Sequence, residues 1–298
     1  MPRYINPFTD FGFKKLFGEE AHKTLLIDFL NALLPAHRRI RELQYTKNEA
    51  FGETATDRRA VFDIACTGEN GERFIVELQK AKQNFFKDRS VFYATFPIRE
   101  QAERGDVWDF ELAAVYCIGI LDFVFDEDRD SPEYLHTVQL KNQHNRVFYD
   151  KLTFVYLEMP KFTKTEAELA THTDKWLYFI KHLSGLEAIP AVLQETVFEQ
   201  AFRTAEIARF DAAEARAYQA SLKYYRDMYN VVATAIQEAE QRGIEQGIEQ
   251  GREKERLESS QREREKLLEV ARKLKAMNLS FVDIHAATGL TDEEITAL

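Results

Sequence analysis

The chain has 298 residues, 45% of them hydrophobic and 30% charged, with only 12 glycines and 7 prolines. That is material for one large core or two modest ones, and it excludes a chain that is mostly linker. The formal net charge of −10 excludes a surface coated in phosphate-binding cations. No apolar run approaches the roughly 20 residues of a membrane span. The first residues lack the basic stretch and apolar run of a secretory signal. A soluble cytoplasmic protein with no membrane partner is therefore expected. Cys66 and Cys117 both lie in apolar strand-like segments and point to core packing, with no disulfide framework.

The charge is unevenly spread. Residues 1–60 hold ten Lys/Arg against eight Asp/Glu, and residues 80–104 hold six against three. Any contact with nucleic acid would have to use a local patch in the first third of the chain.

In chain order, residues 9–34 read as helical, because Phe13, Leu16 and Phe17, then Leu25, Leu26, Phe29, Leu30 and Leu33, recur at spacings of three and four. Strands are expected at 61–66, 74–79, 113–123, 135–140 and 152–158, which are rich in Val, Ile, Phe and Tyr. A second helix is expected over 85–104, with a kink or break at Pro97. After Phe162 the strand signal ends. Residues 174–183, 191–202 and 211–239 have helical spacing, and the last leads into a charged tract, GIEQGIEQGREK, whose Gly243, Gly247 and Gly251 form one narrow stripe on a helix. That stripe reads either as repeat slippage in a solvated helix or as a surface for a second helix. The end of the chain reads as three short helical segments. Ser280 is an N-cap candidate, Gly289 a turn, and Thr291 to Glu294 a capping box. Its spacing resembles a helix-turn-helix, but the segment that would read DNA carries few basic side chains.

The informative stretch is VFDIACTGENGERFIVELQ, residues 61–79. Glu69-Asn70-Gly71 suits a three-residue hairpin loop with Gly71 in the left-handed conformation. The resulting register places Asp63 opposite Glu77 and Ile64 opposite Val76. One face would carry Phe62, Ile64, Cys66, Phe74, Val76 and Leu78. The other would set Asp63, Glu77 and Gln79 among Val61, Ala65 and Ile75. Two carboxylates facing each other among apolar neighbours repel. Either a divalent cation takes both as ligands, or Lys and Arg from elsewhere in the fold pair with them.

Asp63 followed after the turn by Glu77-Leu78-Gln79 resembles the core of the PD-(D/E)XK nuclease superfamily. More closely, the chain resembles the recombination-promoting nuclease/putative transposase (Rpn) family within it. The likeness extends to NPFTDFGFKKLFG, DRSVFYATFPIREQ, FVYLEMPKF, the glycine tract and the closing ATGLTDEEI, and so to nearly the whole chain. The resemblance implies an α/β fold, a restriction-endonuclease-like mixed sheet flanked by helices, followed by an α-helical C-terminal extension. It also implies a Mg2+-dependent (or Mn2+-dependent) DNA endonuclease associated with recombination or mobile elements. Asp63, Glu77 and Gln79 would be catalytic, with Asp63, Glu77 and the Leu78 carbonyl on the ion. Gln79 stands where the superfamily usually has lysine. An amide cannot hold a positive charge or act as a base near neutral pH, but it can orient water and donate to a phosphate oxygen.

Asp10 is a candidate additional acid or, equally, a helix-capping residue. Lys14, Lys15, Lys87 and Arg89 are candidate phosphate contacts. Lys80 joins them only if a bulge brings it round from the opposite face. Tyr93 reads as a core contact, and no His/Cys pattern suggests zinc. The expected organisation is a nuclease-like core at 1–162, a helical extension at 163–240, a glycine-repeat charged linker at 241–266 and a small helix-turn-helix-like unit at 267–298. DNA is the expected partner, and the C-terminal helices suggest a homo-oligomer. The alternative is a decayed nuclease fold acting in assembly or regulation.

Overall fold

The computed structural model describes residues 2–47, 49–50, 60–83, 85–102 and 110–298. The chain divides into two compact units, Met1–Tyr229 and Asn230–Leu298.

The first unit is built on a six-stranded mixed sheet in the order β1-β4-β5-β6-β8-β7. Its strands are β1 (Leu43–Tyr45), β4 (Ile64–Gly68), β5 (Arg73–Gln79), β6 (Val115–Leu121), β7 (Leu135–Lys141) and β8 (Val147–Glu158). A separate two-residue ladder joins β2 (Glu49–Ala50) to β3 (Ala60–Val61). β5, β6 and β8 run parallel, and the remaining neighbours pair antiparallel. Every residue of β6 is buried, as its unbroken apolar run requires for a central strand covered on both faces. Helix α3 (Phe86–Arg99) covers one face, where Phe86, Ala94 and Phe96 pack on Ala65, Ile75, Val115, Cys117 and Tyr156. Helices α1 (Asp10–Phe17), α2 (Lys23–Leu33), α4 (His172–His182) and α5 (Thr196–Ala205) cover the other, against Ile64, Cys66, Phe74, Val76 and Ile118. Sheet between helix layers is the restriction-endonuclease-like α/β arrangement that the sequence implies.

The hairpin register is the expected one within β4, but Asp63 precedes that strand, so the expected Asp63–Glu77 pair is not part of the ladder. Ile64 pairs with Val76, Ala65 with Ile75 and Cys66 with Phe74, and Gly71 takes φ +86°. One face assignment is corrected. β4 begins only at Ile64, so Phe62 lies outside the ladder and packs on the α3 side, edge-on to Tyr93 at 5.3 Å. Tyr93 is thus the core contact its spacing suggests. The helix expected over 9–34 is two helices. Gly18 ends α1 with its N–H on the Lys14 carbonyl at 2.7 Å, and the Tyr45 hydroxyl takes the freed Phe17 carbonyl at 2.6 Å. Pro97 sits in the last turn of α3 without breaking it, and residues 103–104 of that expected helix lie outside the described residues. β8 starts at Val147, five residues before the expected strand, because its first half forms an exposed hairpin with β7.

Helix α6 (Ala212–Ala276) begins with Asp211 accepting from the N–H groups of Ala213 and Glu214. It runs through the glycine tract, where a Cβ on Gly243, Gly247 or Gly251 would meet nothing. In the second unit Ser280 caps α7 (Phe281–Thr288), Gly289 turns the chain in the left-handed conformation, and Thr291 with Glu294 forms the capping box of α8 (Asp292–Thr296). Ala271, Ile284, Leu290 and Ile295 make a small core there.

An aromatic cluster anchors the end of α1 in the core. The Phe17 ring is fully buried, with its centroid 5.3 Å from those of Phe13 and Phe29 and 5.7 Å from that of Trp176. Phe17→Ala should therefore cost about 3–5 kcal/mol, read as a lower midpoint in urea unfolding at unchanged slope. A cost below about 1 kcal/mol would mean that the cluster repacks.

Candidate active site

The hairpin brings Asp63 and Glu77 together through the main chain. The Asp63 N–H donates to Glu77 Oε1 at 3.2 Å, and the Leu78 N–H donates to Asp63 Oδ2 at 2.7 Å. Each carboxylate thus fixes the strand that carries the other, which is why the chain turns out of β4 at this point. Opposite Glu77 in the β5–β6 ladder stands Gly119. With no side chain there, a cavity of about 20 Å³ lies beside Glu77, lined also by Arg89, Tyr93 and Tyr156. Asp63 lines a separate open cleft of about 780 Å³ together with Asp10, Lys14, Lys15, Tyr45, Lys47 and Ser221.

The electrostatics follow from burial. Burial, and then the charge of Asp63, push the Glu77 carboxyl up to about 8. Burial also raises Asp63, against the pull of the Leu78 N–H and of Lys14. Burial lowers Lys80, which feels Asp10, Asp63 and Lys14 as charged neighbours. Two carboxyls reluctant to ionise side by side, with the main chain of Leu78 between them, are a donor set suited to a hard divalent cation. Such an ion would restore both charges, so the residues present fit one.

The other sequence candidates separate. Asp10 is not the cap of α1: Thr9 is, accepting from the Gly12 N–H at 3.0 Å. Asp10 instead pairs with Lys14 at 2.9 Å on the rim of the cleft. Lys80 is brought near the site after β5 ends, with its ammonium 5.6 Å from the Tyr224 ring centroid. Lys15 is 13% exposed and binds Glu19 and Glu214. Lys87 pairs with Glu127 and lies over the Phe125 ring, away from the cleft. Gln79 is buried. Its amide nitrogen donates to the Ala81 carbonyl at 3.0 Å and its oxygen accepts from Arg89. Lys47, Thr46 and Ser221 complete the cleft and were not among the sequence candidates. Periodicity carries no signal for them, since each reaches the cleft only through long-range packing.

Among the described residues, Asp128, His136 and Glu158 also bring three ligand atoms within 4.8 Å of one another. Lys161 already serves that cluster, 2.6 Å from Glu158, which also accepts from the Phe125 N–H. Burial works against the Glu158 charge, yet Lys161, Phe125 and His136 hold this carboxyl below the usual range. It is a satisfied buried carboxylate.

A mixed sheet between helices, with two opposed carboxyls on the antiparallel hairpin beside a cleft, defines a nuclease-type α/β core. The chain belongs to the family described as PD-(D/E)XK nuclease family transposase, whose model matches residues 7–235. No curated protein and no solved structure matches it.

The raised pKa of Glu77 has a definite sign. A proton held more tightly in the folded state favours the fold. That contribution is full below the usual value of 4.5 and is lost as pH rises through about 8. In EDTA, wild-type stability should fall over this window with a limiting slope of about 1.4 kcal/mol per pH unit. Glu77→Gln should lose most of that slope and melt higher than wild type at alkaline pH. Parallel melting-temperature profiles for the two proteins would contradict the assignment.

Proposed function

We propose that the chain is a divalent-cation-dependent endonuclease hydrolysing phosphodiester bonds of DNA, in the cytoplasm, in recombination or the movement of mobile elements. The observation that supports this most is the pair Asp63 and Glu77, half-buried and each hydrogen-bonded to the other's strand. In this reading Asp63, Glu77 and the Leu78 carbonyl hold Mg2+ or Mn2+. When bound, such an ion supplies a low-pKa water and offsets charge on the phosphate.

The protein's own groups do the rest. Lys14 and Lys80 supply positive potential at the cleft, where phosphate contacts give affinity without reading sequence. Asp10 holds Lys14 in place. Gln79 takes a fixed position and offers an amide N–H to a phosphate oxygen or a water. Lys15 and Lys87 are assigned to the fold, because their ammonium groups already serve carboxylates. Self-association through α6 belongs to the same proposal, since a dimer would set two sites on one duplex. Light scattering at micromolar concentration should give twice the mass of 34.7 kDa, and a monomer mass would remove this part.

A second reading, a decayed nuclease fold acting in assembly or regulation, is favoured by Gln79 in place of lysine and by the net charge of −10. Cleavage of supercoiled plasmid separates the two. Wild type should nick in Mg2+ or Mn2+ and not in EDTA. Asp63→Ala should lose more than the roughly 10–100-fold that removal of an outer partner of a metal ligand costs. Equal background in both proteins would favour the second reading.

A further inference from the structure

We propose that Arg89 is the cation that the motif lacks, and that Gln79 is the residue that positions it. The proposal rests on the nuclease reading above. In the superfamily pattern a lysine at position 79 would bring positive charge to the end of β5. Here that position carries a neutral amide whose own contacts are structural. Its nitrogen is tied to the Ala81 carbonyl, and its oxygen accepts from Arg89 Nη2. The other arm of the guanidinium donates to Gln83 Oε1. The guanidinium carbon lies 5.2 Å from the Phe86 ring centroid and 5.6 Å from that of Tyr93. Two amides and two rings thus orient Arg89.

The charge is also kept available. Lys14, Lys15, Lys82 and Lys87 each sit on a carboxylate. Among the described residues Arg89 forms no ion pair, and its hydrogen-bond acceptors are neutral. A guanidinium held by amides keeps its full charge, and its planar fork matches two oxygens of a phosphate. Arg89 and Glu77 line the same cavity of about 20 Å³, room for about one water molecule. The cation has therefore moved from strand to helix: α3 supplies it and β5 aims it.

The test relocates the charge. Wild type, Arg89→Met, Gln79→Lys and the Gln79→Lys/Arg89→Met double variant are compared in plasmid nicking with Mg2+. Their binding to a short DNA duplex in Ca2+ is measured by fluorescence anisotropy over a range of salt, and thermal melts confirm folding. Arg89→Met should lose about a hundredfold or more in kcat, the size of effect seen when one charge-stabilising donor is removed. It should also flatten the log Kd against log salt line by about 0.9, the loss of one phosphate contact. Gln79→Lys alone sets two cations against each other and should not exceed wild type. In the double variant the new lysine should recover at least about tenfold in kcat. An unchanged salt slope, or no recovery in the folded double variant, overturns the proposal, as does an Arg89→Met variant within about threefold of wild type. If wild type cuts nothing, the nuclease reading falls and takes the proposal with it. If wild type cuts and only the Arg89 results fail, the nuclease reading stands alone.

Discussion

The structure around the site depends on one reciprocal contact, in which Asp63 and Glu77 each hold the backbone of the other's strand. Isolated carboxylates in an apolar hairpin would cost several kcal/mol of desolvation. Hydrogen bonds from main-chain N–H groups offset part of that cost and fix where β4 begins. The bond from Leu78 to Asp63 takes the chain out of the sheet. Phe62 then turns to the α3 face, where its ring meets Tyr93. One electrostatic problem thereby sets a strand boundary, a core contact and the docking of the helix that carries Arg89.

The proposed function asks an acidic chain to present a site for a polyanion. The net charge of −10 describes the whole protein, whereas potential at a cleft is set by the few groups that line it. Lys14, Lys15 and Lys47 line it together with Asp10, Glu19 and Asp63. The cleft is balanced, and most of its lysines are committed to carboxylates. Arg89 lies outside this cleft, beside Glu77 in the smaller cavity, and among the described residues it forms no ion pair.

How much of this was legible in the sequence depended on range. The hairpin register could be read because a three-residue loop with Gly71 leaves one pairing, and a single pairing places Asp63 by Glu77. The buried β6 and the buried second half of β8 are visible as apolar runs. Phe62 was misplaced because strand alternation assumes an unbroken ladder, and the break is caused by a side-chain bond to the neighbouring strand. The helix over 9–34 was read as continuous because apolar spacing resumes in phase after Gly18. Gly18 ends α1, and the carbonyl freed there is taken by Tyr45, 28 residues from Phe17. The contact between Arg89 and Gln79 spans 10 residues and two kinds of element, so no periodicity reports it. Local pattern gave the scaffold, and contacts between elements decided which charges serve the site.

The start of α6 shows why the family likeness does not stop at the sheet. The Tyr218 hydroxyl accepts from the Asn6 N–H at 3.0 Å, and the Ser221 hydroxyl accepts from the Phe11 N–H at 3.1 Å. Tyr218 and Leu222 are buried in the main core. Ala217 and Ser221 form part of the wall of the cleft that Asp63 lines, and the Tyr225 hydroxyl donates to Asp122 just beyond β6. The first turns of this helix therefore belong to the core in a physical sense, because removing them would uncover α1 and open the cleft. The matched residues, 7–235, end shortly after the first compact unit does at Tyr229. From Asn230 to Leu267 every residue of α6 is exposed, and the helix is next buried at Ala271, in the small core of the second unit.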